Sequence, residues 1–366
     1  MKMMKFVELG RLSILNNHWL PESANNRAWR VARAASSTVR GHFANAGSCL
    51  LAVFLMAAVV CGCGQKTETT PISANPSTPQ AAKQISIGIS YQNLQNEFII
   101  NIQDAVRAEA KKLNVNLIES DGQGNAENQI SQVQDFITKD VDAIILNPYD
   151  KEGSAPAVNL AVQAHKPIVV VNAIVSNLEK ANAYVGSEDA EAGKIEAQRI
   201  VDVLHGKGNV VIIHGPNGHS AEVQRSDGIR QILAKNPDIK VVAEQTANWD
   251  RSQALTLMQN WLASGQKIDA VIAQNDEMAL GALKAVEAAG KEGQIAVIGI
   301  DAIPDALKAV ADGKMVGTVF QDAKQQGTMA VDLAVDLAQG KPVKHDNYIP
   351  FQLVTTNNVA QFMQNK

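Results

Sequence analysis

Asparagine, aspartate and glutamine recur at the ends of short β-branched runs along this 366-residue chain. Asn96, with Phe98 close behind, follows the first run, Asn147 the third, Asn172 the fourth, Asn275 and Asp276 the eighth, Asp301 the ninth and Gln321 the tenth. A side-chain amide carries donors and an acceptor in one plane, a carboxylate only accepts, and a guanidinium such as that of Arg225 only donates. One asparagine after a strand is ordinarily a turn or helix-cap residue. Their accumulation fits a site that fixes several hydroxyls at once. Arg225 lies in the first turns of an expected helix, where a surface ion pair with Asp227 or Glu222 is the ordinary alternative. Set opposite Asp301, it would orient hydroxyls from both sides.

The elements that must position these groups alternate regularly. Apolar runs at 85–89, 115–118, 143–146 and 168–171 are each followed by a stretch of helical period, the first with Phe98, Ile102, Ala105, Ala108 and Leu113 on one stripe. The rhythm restarts after Tyr184-Val185-Gly186-Ser187, with runs at 210–213, 241–244, 270–273, 297–300 and 316–320. Strands apolar on both faces and joined by helices predict an α/β protein with two doubly wound parallel sheets. In such sheets ligands bind beyond the carboxyl ends of the strands, where the polar residues above fall.

Composition narrows the function. A hydrophobic content of 46% supports a sizeable core. Of the 33 basic residues seven lie in the first 63 positions, with only two of the 37 acids, so the remainder carries a net charge of −9. Such a body repels nucleic-acid phosphates. The apolar run 49–60, preceded by four arginines, is too short for the roughly 20 residues of a membrane span and reads as an export signal. It ends in Val60-Cys61-Gly62-Cys63, and glycine before cysteine resembles a bacterial lipoprotein cleavage box, which makes Cys63 the expected lipidation site. Cys61 fits less well because Val60 would occupy the small position. All three cysteines, Cys49, Cys61 and Cys63, lie in this leader, so a chain beginning at Cys63 has no disulfide and no thiol for catalysis. Residues 64–83 are rich in Gln, Thr, Ser and Pro and read as a tether.

The segment Ala273-Gln274-Asn275-Asp276-Glu277-Met278-Ala279-Leu280-Gly281-Ala282-Leu283 resembles the ribose-binding class of periplasmic sugar-binding proteins. Asn96-Glu97-Phe98, Leu146-Asn147-Pro148, the Gly-x-Ser-Ala-x-x-x-Arg pattern from Gly218 to Arg225, Ile298-Gly299-Ile300-Asp301 and Thr318-Val319-Phe320-Gln321 extend the likeness. The resemblance implies the type I periplasmic binding fold, two Rossmann-like lobes joined by three crossings near Ser187, Gln321 and Pro350. The implied division is a leader at 1–63, a tether at 64–83, a first lobe of 84–187 with 322–350, and a second of 188–321 with 351–366. Asn96, Asn147, Arg225, Asn275, Asp301 and Gln321 become expected partners of ligand hydroxyls, with Asn172 and Ile99 beside them. Phe98 and Trp249 become the expected walls of a ring sandwich.

The sequence departs from the ribose pattern at Asn172-Ala173, where ribose binders carry an Asp-Arg pair, and at Ile99 and Ile300, where they carry aromatic rings. Val170-Val171-Asn172 and Asp301-Ala302-Ile303-Pro304 resemble instead the relatives that bind inositol or similar polyols. The expected function is the solute-binding lipoprotein of an ABC importer, a monomer that carries a sugar or cyclic polyol to an inner-membrane permease without cofactor or metal. A receptor serving a chemotaxis or sensor partner is the alternative. An enzyme is not expected, since the chain has no Gly-x-Ser-x-Gly elbow, no phosphate-binding loop and no histidine pair at metal-ligand spacing. His219 reads as an exposed loop histidine. Replacing either Arg225 or Asp301 by alanine is expected to remove binding and leave the fold intact.

Overall fold

The alternating β-branched and amphipathic segments fold into two sheets of six strands each in a computed structural model that describes residues 84–364. The leader, Cys63 and the tether lie outside the described residues. In the first lobe β1 (Ser86–Tyr91), α1 (Glu97–Lys112), β2 (Asn116–Asp121), α2 (Ala126–Thr138), β3 (Ala143–Leu146), α3 (Ala155–Gln163), β4 (Ile168–Asn172) and β5 (Ala183–Gly186) follow one another. The second lobe takes α4 (Asp189–Val203), β6 (Gly208–His214), α5 (Ser220–Leu233), β7 (Ile239–Thr246), α6 (Arg251–Ala263), β8 (Ala270–Ala273), α7 (Asp276–Ala288), β9 (Ala296–Asp301), α8 (Pro304–Ala311) and β10 (Gly317–Phe320). The chain then returns through α9 (Ala323–Ala338) and β11 (Asp346–Tyr348) to the first lobe, and through β12 (Gln352–Val354) and α10 (Val359–Met363) to the second.

The strand orders are β11-β5-β4-β3-β1-β2 and β12-β10-β9-β8-β6-β7, so the five-strand pattern of one lobe repeats in the other. Neighbours run parallel except for the β10–β12 pair. Helices cover both faces, which is why β3, β4 and β8 are buried at every residue and read as unbroken apolar runs. In each lobe the order reverses beside the first strand, between β1 and β3 and between β6 and β8. Crevices form at such reversals.

Three elements escape a reading by pattern. β5 follows β4 so closely that its segment reads as a boundary between the two halves. β11 (DNY) and β12 (QLV) are three residues each and carry no apolar alternation. They become strands by pairing with the exposed edges of β5 and β10. α9 lies against α1, where its Ala330, Val331 and Ala334 share a core with Ile102 and Val106.

One helix contact governs the site. A Cβ at Gly193 of α4 would overlap the Arg225 carbonyl of α5, and one at Gly228 of α5 would overlap the Ala190 carbonyl of α4. The two backbones therefore touch, bringing Asp189 at the start of α4 beside Arg225. Gly193→Ala is expected to force the helices apart at a cost of about 1 to 3 kcal/mol, as overpacking does. Thermal unfolding should show a lowered Tm; an unchanged Tm would mean that the helices separate without penalty.

Candidate functional site

Backbone geometry at the strand ends aims the polar groups. Asn172 ends β4 at φ 69° and Asp301 ends β9 at φ 124°, with Ala302 at 56° and Trp249 at 61° in the turn before α6. Such conformations cost non-glycine residues on the order of 1 to 3 kcal/mol and persist where the surroundings enforce them. Asp276, the first residue of α7, supplies the restraint at Asp301. Its carboxylate accepts the Ile303 N–H (3.0 Å) and the Thr318 hydroxyl (2.7 Å), while Thr318 Oγ1 accepts the Ala302 N–H (3.2 Å). Trp249 is seated against Gly215, where a Cβ would overlap the indole. The Arg225 guanidinium lies 5.6 Å from the centre of the same ring.

These groups meet in a narrow cavity between the lobes. The first lobe supplies Gln92, Asn96, Phe98, Ile99 and Asn172; the second supplies His219, Ala221, Arg225, Trp249, Asn275 and Asp301; Gln321 stands at the crossing after β10. Phe98 and Trp249 thus approach from opposite lobes. Ile300 does not line the cavity but packs with Ala192 and Val319. Asn147 also lies behind the wall, fully buried, accepting the Gln92 N–H at 3.1 Å and donating to the Val171 carbonyl at 3.2 Å. It braces the ends of β1 and β4 rather than facing the cavity.

Helix capping orients two of the amides. Asn96 Oδ1 accepts the Phe98 and Ile99 N–H groups at 3.0 and 3.3 Å, and Asn275 Oδ1 accepts the Met278 N–H at 3.0 Å. With the oxygens committed, the Nδ2 atoms remain for the cavity. Gln321 follows the same logic: its Oε1 accepts from Arg225 Nη2 at 3.3 Å, and its buried Nε2 has no partner among the described residues. The cap role and the cavity role are held by the same side chain.

Arg225 is buried, and its charge is met by Asp189, not by Asp227 or Glu222. Nε and Nη2 reach Asp189 Oδ1 at 2.9 and 2.8 Å, and Nη1 donates to the Gln274 carbonyl at 2.6 Å. Burial pushes the Asp189 carboxyl up while Arg225 pulls it back. Removing Arg225 would strand a buried carboxylate, a change that costs about 3 to 5 kcal/mol. The expectation that Arg225→Ala spares the fold is therefore revised, and Asp301 is the cleaner probe. Burial also drives the Asp301 carboxyl well above its ordinary range, against the pull of Arg225 and with help from Asp276. Glu196 on α4 lies behind this cluster, its two oxygens buried without a hydrogen-bond partner among the described residues, and burial drives it the same way.

His219 corrects another expectation, because it is 3% exposed and lines the cavity. Its Nδ1 accepts the Ala221 N–H at 3.2 Å as the cap of α5, which leaves the proton on Nε2 to be donated to Gln92 Oε1 at 2.7 Å. Sequence reasoning passed over Gln92, Asp189, Gln274 and Gln326, the last of which accepts from Asn172 Nδ2 at 3.1 Å. Gln92 and Gln274 follow β1 and β8 directly, so the strand-end rule that picked out the asparagines also points to them. Asp189 looks in sequence like an ordinary acidic first-turn residue.

Burial, reinforced by Arg225, lowers the His219 pKa to about 3. An exposed histidine takes up its proton near pH 6.5. Between these values the unfolded chain binds a proton that the folded chain refuses, so the stability this group confers is full above pH 6.5 and is lost as pH falls toward 3. The slope approaches about 1.4 kcal/mol per pH unit. Asp189, Glu196 and Asp301, with raised values, act in the opposite sense. The difference between wild type and His219→Gln isolates the histidine: its Tm gap should narrow steadily from pH 6.5 to pH 4, and a constant gap would contradict the assignment.

The periplasmic binding protein domain family matches residues 87–342. An ABC transporter solute-binding protein from Bacillus halodurans, solved with bound myo-inositol, is 43% identical, with a TM-score of 0.75 over 77% of this chain and 98% of that one. A xylitol-binding protein of Mycolicibacterium smegmatis is 39% identical over 75% of this chain and 78% of its own length. The ribose import binding protein of Bacillus subtilis is 35% identical over 78% and 92%. With this domain match over residues 87–342, the chain belongs to the periplasmic binding protein family.

Proposed function

We propose that the protein is the solute-binding component of an ABC importer and closes its lobes around a monosaccharide or cyclic polyol, with an inositol as the first candidate. The observation that carries this reading is the convergence of Phe98 and Trp249 from opposite lobes on a cavity rimmed by oriented amides and the Asp301 carboxyl group. A sugar or cyclitol ring has apolar C–H faces that pack on aromatic rings and a rim of hydroxyls that needs directional partners. Asn96, Asn275 and Gln321 donate, Asp301 accepts, and Arg225 holds the floor. The first-lobe side of the cavity is uncharged: where ribose binders place Asp-Arg, Asn172 is tied to Gln326 and Ala173 carries no polar group. That neutrality, and the myo-inositol bound by the Bacillus halodurans relative, favour a polyol over ribose.

Contacts from both lobes exist together only when the lobes are closed, so the ligand shifts the equilibrium toward that form by its differential affinity. The closed form then docks on the permease. In this reading the protein acts outside the cytoplasmic membrane as a monomer, held by lipid on Cys63 with residues 64–83 as tether after removal of the leader. No catalytic step is involved.

Thermal-shift and calorimetric titration of the mature protein with myo-inositol, xylitol, ribose and glucose tests the reading. Ligand at 100 times its Kd stabilises the folded state by about 2.7 kcal/mol, so a binder raises Tm clearly. Asp301→Asn should weaken the responding ligand roughly five- to 150-fold, the range for a lost buried hydrogen-bond partner. A response to ribose alone would reject the polyol preference, and no response to any of the four would reject the class.

A further inference from the structure

The loop between β6 and α5 joins the lobes through three hydrogen bonds, two of which use no residue that lines the cavity. The Lys151 N–H donates to the Gly218 carbonyl at 3.0 Å, and the Ile174 N–H donates to Ser220 Oγ at 2.9 Å. His219 Nε2 adds the bond to Gln92 Oε1 at 2.7 Å. In each pair one residue belongs to the first lobe and the other to the second. Gly218 sits at φ 89°, and a Cβ there would overlap the Asp150 carboxylate across the interface.

The receiving surface is assembled in advance. Asp150 Oδ1 accepts the Glu152 and Gly153 N–H groups at 3.0 and 2.6 Å, which fixes its position. The Ser176 N–H donates to the Lys151 carbonyl at 2.8 Å and ties the turn after β4 to the turn after β3. Both turns therefore present their backbone N–H groups to the second lobe as one unit. When the lobes part, these donors return to water, so each bond contributes a modest factor, roughly two- to tenfold in an equilibrium.

We propose that Gly218 and Ser220 form a clasp that holds the lobes together through their bonds to Lys151 and Ile174, contacts independent of the ligand that set affinity for every ligand by a common factor. This rests on the closing-lobe reading above. A protein whose binding-competent form is only partly populated shows an apparent Kd raised by that fraction. The clasp raises the fraction, whereas the amides and Asp301 choose the ligand.

Ser220→Ala is the primary test, because it deletes the acceptor of the Ile174 N–H and neither lines the cavity nor alters the loop backbone. For myo-inositol and xylitol the Kd should rise by the same two- to tenfold, with the ratio between them unchanged. Small-angle scattering of the ligand-free protein should show a smaller closed fraction, with Tm of the unliganded form preserved. Gly218→Ala, which also meets Asp150, should give a larger loss with the same constant ratio. Kd values equal to wild type in both variants, or a changed ratio, would overturn the clasp. Should wild type bind neither probe, the function reading fails, and the clasp is judged by the scattering alone: an unchanged closed fraction in Ser220→Ala refutes it.

Discussion

A guanidinium withdrawn from water is the constraint around which the second lobe is arranged. Burial of the Arg225 guanidinium demands a carboxylate and further acceptors within reach. Asp189 of α4, the Gln274 carbonyl after β8 and Gln321 after β10 meet that demand. One cation thereby ties together two helices and the ends of two strands. The close approach of α4 and α5 at Gly193 and Gly228 brings Asp189 within range. Helix packing, charge pairing and cavity shape are one problem with one solution here.

A second economy lies in the caps. Helices α1 and α7 begin at the cleft, and each needs an acceptor for its first N–H groups. Asn96 and Asn275 supply it, and the same act turns their amide nitrogens toward the cavity. The orientation of these donors is therefore decided by secondary structure before any ligand arrives. Preorganisation of this kind limits the entropy lost on binding.

The parts legible in the sequence were those dictated by local pattern. β3 and β8 read directly as AIIL and AVIA because both faces are buried, and the strand-end residues Asn96, Asn172, Asn275, Asp301 and Gln321 could be found by position alone. β11 and β12 were hidden because they depend on edges built by distant residues. Asp189 was hidden because its pairing with Arg225 arises only where two glycines let backbones touch. His219 was misjudged for a related reason: a loop looks exposed until the opposite lobe covers it, and Gln92 lies 127 positions away. Asn147 illustrates the converse, a strand-end amide spent on bracing its neighbours.

The return of the chain through α9 bears on the order in which the protein can be made. The core of the first lobe is shared among α1, β1 and α9, so its last wall is supplied by residues 323–338, after α4 to β10 of the second lobe have been synthesised. Contacts so far apart along the chain form slowly, since a long loop must close before they are rewarded. A nascent first lobe therefore leaves Ile102 and Val106 uncovered until nearly the end of translation.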